Sequence, residues 1–387
     1  MKNVTVLGGG IGGIEAAIAL RKEGLDVTLV SDREYLYIWP VSIWIPTRQI
    51  EFEDVIIPLE ELAKKHNFNL IIDRVKEIKT NTNSVVLENQ TISYEYLVVS
   101  LGADKIKHPG IENTLSICGK PEDSLKLREK LDTLISQGEG KIAIGFGGNP
   151  KDPSATRGGP AYEVIFNIDH YLRRKGLRDN FELTFFAPMT NPGARMGENA
   201  LVTMNQFFKR TNINTHFGKK IKEFSQDGII FEDETKLDSD LTMFISAGTV
   251  KEELRNSDLP LTEAGFIKID EHCQVKGLDN VYAIGDIANL EGPQWRSKQG
   301  HVAEVMARVT AQNIKASIQG SPKRHGYKEH LNILCIMDTG NGAAYIYRDD
   351  HKERLVPLPV IGGWLKRGWR QYYRLSKLKK IPRIPGM

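Results

Sequence analysis

Residues 3–35 read NVTVLGGGIGGIEAAIALRKEGLDVTLVSDREY, and their order decides how the chain begins to fold. Four alternating or apolar residues make a strand, Gly8, Gly10 and Gly13 stand at G-x-G-x-x-G spacing, and IEAAIALRKEG carries apolar residues at helical period with Gly24 as its stop. A second strand, DVTLV, completes a βαβ unit. In such a unit Gly8 permits the tight turn, Gly10 lets the backbone approach a pyrophosphate, and Gly13 lets the helix pack on the strand; the helix N-terminus faces the phosphate charge. The complete strand, loop, helix and strand context lifts the motif above a merely glycine-rich turn. After the second strand an acidic residue is expected to hold the adenosine ribose. Ser31 directly follows that strand and Asp32 comes next, so the Asp32 carboxylate and the Ser31 hydroxyl are both candidates.

A second nucleotide signature lies some 250 residues away in LDNVYAIGDIANL, residues 278–290, where a strand leads into a small-residue turn at Asp286. A carboxylate there can take hydrogen bonds from a ribityl chain. Between the two, YLVVSLGA (96–103) reads as a strand ending at Gly102. Flavin adenine dinucleotide accounts for all three stretches, nicotinamide dinucleotide for the first alone. The expected fold class is therefore α/β, with two Rossmann-like dinucleotide-binding domains. The first, residues 1–110 plus 268–320, is interrupted by a second over 111–267, and 321–387 forms a C-terminal substrate-pocket and membrane-contact segment.

Composition sets the outer bounds. The 387 residues, 40% hydrophobic and 26% charged, suit a globular chain of two domains. A formal net charge of +3 is too small to argue for nucleic acid. No run approaches a membrane span, and MKNVTVLGGG enters a strand too early for a signal peptide, so a cytoplasmic location is expected. Cys118, Cys273 and Cys335 are too scattered for a zinc site or a secreted disulfide framework. No metal is expected.

Gly8 to Gly13, SLGA and AIGD, in this order, resemble the flavoprotein disulfide-reductase superfamily. Finer features resemble its sulfide:quinone oxidoreductase branch, with type II NADH:quinone oxidoreductases as near relatives: LSICGKPEDSLKLREKL around Cys118, GGPAYE at 158–163, SKQGHVAEVMARVTAQNI after Asp286, and NILCIMDTGNGAAYI around Cys335. The resemblance implies FAD, a membrane quinone, and a small electron donor, with sulfide favoured. It also implies that Cys118 lies on the benzenoid side of the flavin and that Cys335 belongs to a sulfur relay. Here the chain departs from the branch, whose central cysteine stands just before the GPAYE helix. That place is held by Thr156 or Arg157. Arg157 offers a fixed cation that can bind an anion or lower the pKa of a thiol.

The second glycine stretch, IAIGFGGNPKDPSATRGGPAYEVIFNI (142–168), starts like a nucleotide turn, but residues including Pro150 and Pro153 intervene before its helix. The resemblance makes this insertion a wall of a pocket over the flavin rather than a pyrophosphate seat. Glu163 is a candidate proton carrier. Lys298, just before the helix GHVAEVMARVTAQNI, is placed to stabilise an anionic reduced flavin. In the tail, helical spacing groups Leu365, Trp369, Tyr372 and Tyr373, with Lys366, Arg370, Arg374 and Lys377 beside them. That pattern suits an anionic membrane surface, here the inner face of the cell membrane. The expectation is a peripheral, FAD-dependent sulfide:quinone oxidoreductase-like enzyme. The alternatives are a type II NADH:quinone oxidoreductase and a non-catalytic flavin-bearing redox sensor, and a homo-oligomer is left open.

Overall fold

The computed structural model describes residues 2–255 and 257–383. The strand Asn3–Leu7 lies in the middle of a five-stranded parallel sheet, in the order Val281–Ala283, Tyr96–Val99, Asn3–Leu7, Asp26–Ser31, Asn69–Ile72. Val4, Val6, Leu97, Val98 and Leu29 are fully buried, as expected where helices and loops cover both faces of a parallel sheet. Register brings Leu7 opposite Val30 and Val99. Three backbone bonds extend this alignment past the strand ends: Gly8 N–H donates to Val30 O, Ser100 N–H to Leu7 O, and Ile284 N–H to Val99 O. Gly8, Asp32, Ser100 and Asp286, far apart in the chain, therefore emerge at one carboxyl edge, where open α/β sheets bind ligands.

The helix Ile11–Lys22 packs against the helix Gly300–Ile318, with Ala16, Ala17, Ala303 and Ala307 buried. Gly24 takes a positive φ of 82° just past the first helix. One local expectation shifts: the strand near Asp286 stops at Ala283, and Gly285–Ile287 form a single 3-10 turn with Gly285 at φ 71°.

A second parallel sheet has the order Asn214–Phe217, Phe181–Ala187, Gly140–Phe146, Leu241–Ile245. The helix Gly159–Arg174 covers it through Tyr162 and Phe166, which meet Phe185 and Phe208 in a buried aromatic cluster. Both connections between the two sheets run side by side, because Asp104–Lys105 pairs antiparallel with Gly248–Thr249. A three-stranded antiparallel sheet follows, Ile333–Asp338, Gly342–Arg348 and Glu353–Pro359, and then the helix Ile361–Lys377. No helix among the described residues is long and apolar enough to cross a membrane.

Candidate functional site

The carboxyl edge of the first sheet opens onto one continuous cavity of about 2550 Å³. Ordinary small-molecule pockets hold roughly 300–1,000 Å³, so this one has room for a large cofactor and a substrate beside it. Its lining includes Gly8–Gly10, Ser100–Ala103, Gly285–Asp286 and Ser297–Gly300. A methyl group built on Gly10 meets no protein atom within 4 Å, whereas one on Gly13 sits 1.8 Å from the Gly8 carbonyl oxygen. The first glycine keeps a cradle open and the second lets helix meet loop. Gly10 caps the helix without any side-chain hydrogen bond. First-turn N–H groups are thus left for a phosphate. Asp32 lines the same cavity. Ser31 is buried and its hydroxyl is committed to the Arg33 backbone, donating to O at 2.7 Å and accepting from N–H at 3.2 Å.

Lys298 enters from the segment before the helix Gly300–Ile318. Its Nζ donates to the Asp286 carbonyl at 2.8 Å, lies 3.8 Å from Asp152 Oδ2, and sits 3.0 Å from the centre of the Phe266 ring. Burial pulls its pKa down to about 7, against the carboxylates of Asp152 and Asp286. Its charge is therefore poised near neutrality, and a negative charge arriving beside it favours the ammonium form. The Asp286 carboxylate is ion-paired with the Arg157 guanidinium, whose charge also acts on the Cys118 thiol. Burial raises the Cys118 pKa, with Lys105 and Arg157 pulling the other way.

Further along the cavity, the Glu163 carboxylate accepts the Asp338 backbone N–H at 2.8 Å and is ion-paired with Lys366 from the C-terminal helix. Burial lifts its pKa above the usual carboxylate range, while Lys366 opposes the rise. Asp338 is itself fixed by Trp44 Nε1 at 2.9 Å, Asn167 Nδ2 at 3.1 Å and the Gly340 N–H at 2.7 Å. Cys335 lies on the same strand. Burial, then the charge of Glu163, pushes its thiol up to about 12, so it rests protonated. Cys118, Glu163, Cys335, Lys366, Trp364 and Trp369 all line the one cavity, which thus runs from the glycine cradle to the C-terminal helix.

The profile of the pyridine nucleotide-disulphide oxidoreductase family matches residues 2–312. The chain belongs to this family. Among similar proteins, the sulfide-quinone reductase of Aquifex aeolicus is 28% identical, over 96% of this chain and 90% of the relative. The X-ray structure of the sulfide:quinone oxidoreductase from that bacterium shares the fold, with a TM-score of 0.87 at 24% identity, covering 98% of this chain and 92% of that one. The type II NADH:quinone oxidoreductase of Staphylococcus saprophyticus is 22% identical over 90% of each chain.

Of the residues predicted for this pyridine nucleotide-disulphide oxidoreductase, Gly8, Gly10, Asp32, Gly102, Cys118, Glu163, Asp286, Lys298 and Cys335 all reach the cavity. Gly13 and Ser31 stand behind its wall, which leaves Asp32 as the ribose candidate that faces it. The proline-containing insertion folds inward. Asn149, Asp152 and Ser154 are buried, Asn149 Nδ2 donates to Gly248 O at 2.9 Å, and Arg195 donates to the Pro153 and Thr156 carbonyls at 2.8 and 2.7 Å.

The tail requires a correction. Its inward stripe is Gly362, Lys366, Tyr373 and Lys377, so two of the four basic residues read as a membrane face are buried ion-pair partners. Lys377 Nζ lies 2.5 Å from Glu15 and 2.7 Å from Glu304, and Arg383 joins both carboxylates. Burial works to raise the Glu15 pKa, but Lys377, Arg383 and Arg308 outweigh it and hold the group at about 2. The large apolar residues that face solvent here are Val360, Ile361, Trp364 and Leu365, with Trp364 75% exposed. Arg370 pairs with Asp54 at 3.2 Å. Residues 384–387 of the basic tail lie outside the described residues. Sequence reasoning missed Lys105, Lys366 and Asp338 as site groups. For Lys366 a signal existed, since it shares an i, i+7 stripe with Tyr373.

Proposed function

We propose that this protein is an FAD-dependent quinone reductase that takes two electrons from a small anionic reductant, with hydrosulfide favoured. The observation that carries the reading is the continuity of the cavity, from the Gly10 cradle, past Cys118 with Arg157 and Cys335 with Glu163, to the C-terminal helix. The Aquifex and Staphylococcus relatives, by their names, share quinone and differ in donor. Against NADH as donor, the second glycine loop is filled by its own insertion, its helix carries Pro160 near the start, and the strand Phe181–Ala187 runs into Pro188 with no carboxylate for a ribose.

In this reading residues 1–110 and 268–320 form the cofactor half, 111–267 the second half, and 321–387 the quinone-side segment. The Gly8–Gly13 turn holds the pyrophosphate, Asp32 the ribose and Asp286 the ribityl chain. Lys298 and the helix beginning at Gly300 would stabilise an anionic reduced flavin. Bound flavin supplies a two-electron carrier. Oxidising hydrosulfide to zero-valent sulfur releases two electrons and one proton, whereas reducing quinone takes two electrons and two protons. Glu163 is placed to hold the further proton at its carboxyl and pass it on, with Lys366 balancing the charge that remains.

Anaerobic titration of the purified yellow protein tests the donor. Sulfide is expected to bleach the flavin rapidly and NADH to leave it oxidised. Bleaching by NADH alone selects the NADH:quinone reading, and bleaching by neither selects a redox sensor. Cys335→Ser is expected to abolish sulfide-dependent bleaching while keeping FAD content, since a hydroxyl is a far poorer nucleophile near neutral pH. Full sulfide activity in that variant removes Cys335 from the chemistry.

Peripheral attachment needs a probe other than truncation at residue 364. That cut strips Lys366 and Lys377, leaving Glu163, Glu15 and Glu304 without these buried partners. Trp364→Glu changes an exposed side chain instead. It is expected to keep the thermal stability of the parent while reducing cosedimentation with anionic liposomes at least roughly tenfold, the loss of an interfacial aromatic anchor with added repulsion. Unchanged sedimentation removes this face as the membrane contact.

A further inference from the structure

The proline-containing insertion grips the segment that carries Lys298. Lys298 N–H donates to the Ser154 carbonyl at 3.2 Å, and Arg195 spans the Pro153, Thr156 and Arg296 carbonyls at 2.8, 2.7 and 3.1 Å. Within this grip the Asp152 side chain is held in one pose. Its Oδ1 accepts the Ser154 N–H at 3.0 Å and the Ser154 hydroxyl at 2.6 Å, and its Oδ2 stands 3.8 Å from Lys298 Nζ. Both side chains are buried, where water and salt screen a pair little. Lys298 lines the cavity, whereas Asp152 is buried next to the lining residue Pro153.

Burial is the strongest influence on the Lys298 amine and disfavours its ammonium form. Asp152 from the insertion and Asp286 from the turn Gly285–Ile287 favour it, and Arg157 and Arg296 oppose it. Asp286 is ion-paired with Arg157, and Arg296 Nη2 lies 3.9 Å from Asp152 Oδ1. Two cations, Lys298 and Arg296, thus lean on the single carboxylate of Asp152. A guanidinium keeps its charge in a protein, so without that carboxylate Lys298 is the group that gives up its proton.

We propose that Asp152 is a positioning residue that keeps Lys298 charged and, through Lys298, makes the flavin easier to reduce. This role rests on the cofactor reading above and deepens it. Flavin that takes up two electrons and one proton gains one negative charge, which an ammonium offsets and a neutral amine does not. The second glycine loop then supplies a carboxylate to the cofactor half in place of a nucleotide seat. Acting alone, a carboxylate hinders reduction of a nearby flavin by like-charge repulsion; acting through Lys298, Asp152 aids it. The two effects have opposite signs.

Asp152→Asn keeps the size of the side chain and an oxygen for Ser154, and removes the charge. The midpoint potential of the bound flavin is measured anaerobically against reference dyes, from acid to alkaline pH, in the parent, Asp152→Asn, Lys298→Met and the double variant. At about pH 8 the reduced flavin of Asp152→Asn is expected to lose about tenfold in stability relative to the oxidised form, or about 30 mV for a two-electron couple. In acid, where Lys298 holds its proton in both proteins, the potential is expected not to fall. In the Lys298→Met background, Asp152→Asn is expected to lower the potential at no pH. A potential that rises in Asp152→Asn across the whole range makes Asp152 a plain negative charge on the flavin and overturns the role. An unchanged potential in alkali, or an equal fall in the Lys298→Met background, overturns it too. If Lys298→Met lowers the potential and Asp152→Asn does not, Asp152 alone fails; if neither does, Lys298 is removed from flavin stabilisation as well. Should Asp152→Asn not fold, Asp152→Ser, which keeps a capping oxygen at the turn, is read in the same way. If neither variant retains flavin, Asp152 is a structural residue and the proposal fails. A parent without flavin ends the quinone-reductase reading, and acetylation of Lys298 across pH, quantified by mass spectrometry, then reads the pair directly. The proton affinity of Lys298 is expected to fall at least roughly tenfold in Asp152→Asn, and equal affinities overturn the pairing.

Discussion

Gly10→Val is expected to fold, to melt within a few degrees of the parent, and to carry at least tenfold less flavin after purification. Gly10 has φ −83° and ψ −173°, an extended conformation that a β-branched residue adopts without strain. A Cβ there touches nothing in the protein. The isopropyl group therefore costs the fold little and occupies space in the pyrophosphate cradle. Displacing the cofactor by more than about 1.4 kcal/mol is enough for the tenfold loss. Gly13→Ala separates the two roles of the loop. Its single methyl lies 1.8 Å from the Gly8 oxygen and 3.0 Å from the Gly8 carbonyl carbon, so loop and helix must part. Overpacking of this kind costs about 1–3 kcal/mol and sometimes more, a large share of the roughly 5–15 kcal/mol that holds a domain together. Absorbance of the bound flavin and thermal melts of both variants check the pair. Full FAD occupancy in a folded Gly10→Val protein rules out a pyrophosphate at this turn.

The contrast between these two glycines shows what the sequence could convey. Spacing located the turn because a tight loop against a buried helix leaves few residue choices, and those choices repeat at fixed intervals. Parallel strands were legible for the same reason: burial on both faces forces apolar runs such as Tyr96–Val99. Asp338 gave no such signal, since its place comes from the Trp44 ring N–H, a partner 294 residues earlier. The tail misled through a general weakness of helical patterns. Aromatic and basic residues alternate there so closely that two stripes are amphipathic, and only packing against Glu163, Glu15 and Glu304 decides that Lys366 and Lys377 point inward. Reading the insertion after the second glycine loop as a pocket wall rested on a resemblance. Its inward fold depends on Arg195 gripping two of its carbonyls, which no local motif announces.

Quinone reduction by Glu163→Gln is expected to fall by about 10²–10⁴, the usual worth of a positioned proton carrier, while reduction of the flavin by its donor proceeds as in the parent. An amide keeps the size of the carboxyl and its acceptor for the Asp338 N–H, yet it cannot carry the proton. Lys366→Met attacks the same pair from the other side and is expected to cost about 3–5 kcal/mol of stability, because it leaves a buried carboxylate uncompensated. The sign of the pH dependence follows from Glu163. Its folded pKa lies above the unfolded value, so the stability linked to its protonated form is complete below the unfolded pKa and is lost as pH rises through the folded one. Removing Lys366 takes away the group that opposes this rise. The gap in melting temperature between Lys366→Met and the parent is thus expected to be small in acid and to widen toward alkaline pH, as thermal melts across that range will show. Combining Lys366→Met with Glu163→Gln removes both charges and is expected to recover most of the lost stability, but no quinone activity. A stable double variant that still reduces quinone makes the pair a structural tie between the helix Gly159–Arg174 and the C-terminal helix, and the proton must then enter elsewhere.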